Sequence, residues 1–91
     1  MIEVEHIAGD QWRVTVGATT RTEHLVRVPE AELRRFQTRA GELLRASFEF
    51  LLEREPNTSI LREFELPIIS RYFPEYDREI GRYLAKNSTE Q

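Results

Sequence analysis

The stretch ELLRASFEFLLERE, residues 42–55, limits what this chain can fold into more than any other. Wound as a helix at about 100° per residue, Ala46, Phe50, Leu43, Ser47, Leu51, Leu44, Phe48 and Leu52 sweep an arc of roughly 240°. Arg45, Glu49, Glu42 and Glu53 make the polar strip. A surface helix carries an apolar stripe a little over about 100° wide, so an arc twice as wide has to be covered on two sides. Residues 42–55 are therefore expected to be the central helix. A sheet covers one side, and the C-terminal segments or a second subunit cover the other.

The sheet is expected from residues 1–28, which alternate with period two, are rich in valine and threonine, and are broken by AGD and GATT. Three antiparallel strands are expected at 2–7, 11–16 and 22–28. A pairing is acceptable only if Ile2, Val4, Trp12, Val14, Val16, Val26 and Val28 share one face, because a one-residue slip turns a whole strand over. A two-residue turn at Gly9-Asp10 would set Glu5 against Val14 and Glu3 against Val16, so a three-residue loop, Ala8-Gly9-Asp10, is expected instead. It pairs Ile2 with Val16, Val4 with Val14 and His6 with Trp12, and puts Glu5 across from Arg13. In the second hairpin, pairing Val16 with His24 would oppose Arg13 to Arg27. The preferred register pairs Val16 with Thr22, Val14 with His24 and Trp12 with Val26.

That register bears on metal chemistry. His6 and His24 fall on the inner face, on strands separated by strand 2, and two strand spacings are roughly 9–10 Å. Imidazoles that far apart do not share a zinc whose nitrogen ligands sit about 2 Å away. Both are expected to be core-rim histidines with a hydrogen-bond partner, and no metal or other cofactor is expected.

After the strands, PEAELRRF reads as a short helix led by Pro29, with Glu30 and Glu32 at its positive start and Gly41 as the breaker. Pro56 ends the central helix. SILREF is expected as a short helix with Ile60, Leu61 and Phe64 inward, capped by Thr58 or Ser59. Leu66 and Phe73 precede prolines and are pushed toward extended backbone. Pro67 leads a helical turn carrying Ile68, Ile69, Tyr72 and Phe73. Pro74 leads a last helix in which Tyr76, Ile80, Tyr83 and Leu84 recur on one face, before a frayed tail at 87–91.

Composition narrows the function classes. Ninety-one residues make one domain, 1–91, divided into a β-meander (1–28), a helical part (29–86) and the tail. There is no cysteine, which suits a reducing compartment. The first residues alternate rather than forming a charged start and an apolar run, so no signal peptide is expected, and a cytoplasmic location is. The net charge of −3 argues against a broad nucleic-acid face. Twelve of the thirteen basic residues are arginine, a bias that the composition of a GC-rich genome accounts for. No glycine-rich phosphate loop and no nucleophile elbow occurs. Ser47, Ser59 and Ser70 fall in helices or caps, and Glu53/Glu55 and Glu63/Glu65 lie two apart, where helical carboxylates diverge. An enzyme is not expected.

Two DNA-binding templates can be tested. SILREF and PIISRYF are spaced like a helix-turn-helix, but the second helix offers base edges only Ser70 and Arg71. HLVRVPEAELRRF followed by GELLRASFEFLLERE resembles a ribbon-helix-helix protein, although the first helix and its turn are short for that pattern and two further strands occupy its dimer edge. From Ser47 to Ile80 the chain, SFEFLLEREPNTSILREFELPIISRYFPEYDREI, resembles a family of short uncharacterised bacterial proteins. That resemblance implies a bacterial cytoplasmic protein and no particular chemistry.

The expected fold is α+β: a three-stranded antiparallel β-meander packed on a central helix, with short proline-led C-terminal helices. The expected function is a small non-enzymatic protein-interaction or regulatory module acting on a protein partner or on itself as a homodimer. The alternative is a DNA-binding regulator or antitoxin of ribbon-helix-helix type. The candidate interaction surface is Arg71, Tyr72, Glu75 and Tyr76, at the edge of the lid over the central helix.

Overall fold

The computed structural model describes residues 1–88. The alternating N-terminal third forms β1 (Ile2–Ala8), β2 (Gln11–Val16) and β3 (Thr22–Arg27). Their pairs are those the side-chain pattern demands: Ile2 with Val16, Val4 with Val14 and His6 with Trp12, then Val16 with Thr22, Val14 with His24 and Trp12 with Val26. Glu5 and Arg13 form an ion pair at 2.6 Å. The first loop differs from expectation. Ala8 pairs with Gln11 across a two-residue Gly9-Asp10 turn, with Gly9 at φ 55°, and the ladder shifts between His6 and Ala8. The bulge at Ile7 reconciles a tight turn with the inward valine register.

A fourth strand overturns the expected three-stranded antiparallel meander. β4 (Glu63–Glu65) runs parallel to β3, pairing Leu25 with Glu63, Val26 with Phe64 and Arg27 with Glu65. The sheet is mixed, in the order β1-β2-β3-β4. The expected SILREF helix is instead a 3-10 turn, Asn57–Ser59, followed by extended chain. A helix of six residues cut off by Pro67 has little stability of its own. The extended form gains ladder bonds: Leu25 donates to the Arg62 carbonyl at 2.8 Å and Leu66 donates to the Arg27 carbonyl at 2.9 Å. With that first helix gone, the helix-turn-helix spacing has no structural counterpart.

The helices are α1 (Glu30–Phe36), α2 (Ala40–Leu52), α3 (Ile68–Tyr72) and α4 (Tyr76–Ser88). Gly41 is not the breaker. Gln37 ends α1 in the left-handed region, φ 53° and ψ 53°, its amide bonded to the Leu33 carbonyl, and Gly41 lies in the first turn of α2. The last helix continues through residues 87 and 88 of the expected tail; the rest of that tail, 89–91, lies outside the described residues.

α2 is the central helix. Leu43, Leu44, Ala46, Ser47, Phe48, Phe50 and Leu51 are all buried. Phe48 and Phe50 lie about 200° apart around the axis, and each meets a different layer. Phe48 packs toward the sheet, 5.3 Å from the His24 ring and 6.2 Å from that of Phe64. Phe50 packs toward the C-terminal helices, 5.9 Å from Phe73, 5.2 Å from Tyr76 and 5.9 Å from Tyr83, all edge to face. The resulting layers are sheet, α2, and α4 with the shorter helices around it.

Candidate functional site

The site is built by the segment that departs from sequence expectation, residues 56–73. Pro56 stops the chain leaving α2, and the 3-10 turn that follows buries Asn57. Its amide nitrogen donates to the Thr20 carbonyl at 2.7 Å and to Thr22 Oγ1 at 2.9 Å. Ile60 and Leu66 are buried on either side of β4 and pin it to the core. Between them, alternation sends Glu63 and Glu65 outward and turns Phe64 inward. Pro67 then opens α3, which carries the chain away from the sheet.

The divergence of α3 from β4 leaves an apolar groove of about 430 Å³. Leu51 and Ile69 form its floor, Phe64 and Leu61 one wall, and Ile68, Tyr72 and Phe73 the other. Leu61 is 47% exposed and Tyr72 65%, so both rims hold large apolar surface in water. Among the described residues lining it, Glu55 carries the one charge. Burial raises the Glu55 carboxyl above its ordinary value, and among the described residues no cation pairs with it.

The four residues expected at the interaction surface separate here. Tyr72 stands on the groove rim. Arg71 is exposed one residue away. Glu75 is half-buried and paired with Arg54 at 3.0 Å. Tyr76 is not at the surface: it is fully buried, its hydroxyl 2.6 Å from Ser47 Oγ. Its position in the first turn of α4 points it into the seam against α2, and burial raises its phenol pKa against the opposing effect of the Ser47 hydrogen bond. The groove residues the sequence reading missed are Leu61, Phe64 and Glu55. The alternation of Glu63-Phe64-Glu65-Leu66 was the available signal for a strand there.

The other polar clusters serve the fold. Arg54 donates to Glu75 at 3.0 Å and Glu79 at 2.9 Å, and its guanidinium lies 3.6 Å above the Phe50 ring centre. With the Tyr83 hydroxyl donating to Glu53, this network ties the end of α2 to α4. His24 is fully buried, between Thr22 Oγ1 at 2.9 Å and the Leu61 carbonyl at 2.7 Å. His6 is exposed rather than at the core rim; its Nε2 donates to the Gly9 carbonyl at 2.8 Å and its ring lies 4.7 Å from Trp12. The bulge and turn at the end of β1 carry it out past the packed part of the sheet. Among the described residues no cluster of three or more histidine and acidic side chains is arranged to hold a metal ion, and no helix is long and apolar enough to cross a membrane. No family model, curated protein or solved structure matches the chain.

Proposed function

We propose that the protein is a non-enzymatic, cytoplasmic protein-binding module that docks an apolar-anchored segment of another protein in the groove between β4, α3 and the end of α2. The carrying observation is the pair of exposed rims: Leu61 and Tyr72 hold apolar surface in water on both sides of an apolar floor. Exposed apolar surface of this kind, arranged around a concavity, marks interaction sites. The non-enzymatic part rests on where the reactive groups lie. Ser47, Tyr76 and His24 are fully buried in hydrogen bonds to the protein itself and lie outside the groove, whose own polar lining residues, Glu55, Ser59 and Tyr72, have no histidine among them.

The ribbon-helix-helix alternative gains nothing from the geometry. The strand that would form the ribbon, β3, lies between β2 and β4, and β4 occupies the Leu25–Arg27 part of the edge that a symmetry mate would need.

Selection of peptides from a random phage-displayed library tests the proposal. Selected peptides should carry large apolar residues and should lose binding to the Tyr72→Ser and Leu61→Ser variants, which thermal unfolding should show to be folded. Peptides that bind both variants undiminished would overturn it, as would a library that yields none. A concentration-dependent mass in sedimentation, abolished by the same two substitutions, would place a second copy of the chain in the groove and overturn the reading of a different partner.

A further inference from the structure

We propose that the groove takes its partner by strand addition to the open edge of β4, and that the added strand alternates apolar with basic side chains. This rests on the protein-binding reading above and specifies how the partner is held. Leu25 donates to Arg62 O and Leu66 to Arg27 O, so the backbone groups of alternate residues Arg62, Phe64 and Leu66 face β3. Those of Glu63 and Glu65 therefore face away, along an edge that carries no further strand among the described residues. An edge strand offers these groups as a template for another chain.

The two faces of that edge differ in chemistry. On the inner side Phe64 lines the groove; on the outer side Glu63 and Glu65 are exposed, and among the described residues neither has an ion-pair partner. A strand laid against β4 sends alternate side chains to these two faces. One set enters the groove beside Phe64, Ile68 and Tyr72. The other stands next to two carboxylates, where opposite charge is favoured and like charge is not. On the neighbouring strand Arg27 is in register with Glu65 and the uncharged Leu25 with Glu63, and among the described residues Arg27 forms no ion pair with either carboxylate. A second copy of β4 would oppose glutamate to glutamate, which disfavours self-pairing at this edge. The other edge, β1, is less open, because Arg45 already donates to the Ile2 carbonyl at 2.7 Å.

Synthetic peptides separate the possibilities. One alternates valine and lysine; a second rearranges the same residues at helical spacing; a third alternates valine and glutamate; a fourth is the first with alternate backbone nitrogens methylated. Binding is read by amide chemical shifts and by hydrogen exchange at Glu63 and Glu65. The valine-lysine strand should bind at least about tenfold tighter than the other three and should slow exchange of the Glu63 and Glu65 amides. The Glu63→Lys/Glu65→Lys variant should reverse the preference toward the valine-glutamate peptide. If the helical peptide binds the groove while those two amides exchange freely, strand addition is wrong and groove docking stands. If no peptide shifts any groove resonance, both fail.

Discussion

At the scale of single residues, His24 shows how a histidine can be conspicuous in a sequence and structural in the fold. Its Nδ1 donates to the Leu61 carbonyl, which fixes Nε2 as an acceptor for the Thr22 hydroxyl, and Asn57 in turn donates to Thr22 Oγ1. The chain of donors runs one way, and protonation at Nε2 reverses its middle link. Burial lowers the His24 pKa below 6.5, the Leu61 bond acts in the opposite sense, and Arg62 adds to the lowering. As the pH falls, the unfolded chain takes up this proton before the folded one does. The stability contribution is therefore full above about pH 6.5 and is lost as the pH falls from there toward the lower folded value. Urea unfolding across this range should show that loss in the wild type and a flatter dependence in His24→Asn. Parallel curves for the two proteins would contradict the assignment. The inward placement of His24 was legible from strand register alone. Its partners were not, because the Leu61 carbonyl and Asn57 reach it only through the parallel strand that the sequence reading did not expect.

Among the elements, the more residues vote on a pattern, the better the sequence predicted it. α2 presents its apolar arc over more than three turns, and the Phe48 and Phe50 contacts show it buried on both sides. The hairpin pairs followed from seven apolar positions that had to share a face. β4 is three residues long, too short for its alternation to outweigh a helix-compatible spacing of Ile60, Leu61 and Phe64, and its stability comes from β3, a long-range partner that no local pattern names. The surface residues fared similarly: Tyr72 is exposed, whereas the Tyr76 side chain four positions later is sealed under the seam between α2 and α4. Helix ends were the least legible, since Gln37 adopts a left-handed conformation that favours glycine. Replacing Gln37 with glycine removes the Cβ clash of that conformation and should stabilise the protein by up to about 1 kcal/mol, net of the entropy glycine adds to the unfolded chain. Thermal unfolding of Gln37→Gly measures it; a lower midpoint would mean that the glutamine side chain supports the turn.

For the whole molecule, the distribution of contacts predicts where the fold opens first. α2 is enclosed by the sheet and α4, and β2 is hydrogen-bonded on both edges, so their amides have no route to solvent short of global unfolding. β4 and α3 stand differently: one is three residues paired along a single edge, the other is five residues with the groove on one side. What anchors them is Ile60, Leu66 and Ile69 together with the His24–Leu61 bond. Native-state hydrogen exchange should therefore resolve two tiers. Leu44, Phe48 and Val14 should exchange with the free energy of global unfolding, and Phe64, Leu66 and Phe73 should exchange together at a lower free energy. His24→Asn should lower the second tier more than the first, because it removes the side-chain bond to Leu61. A single tier spanning both sets would mean that β4 and α3 fold with the core as one unit, and that the partner meets a rigid edge rather than one that tightens on binding.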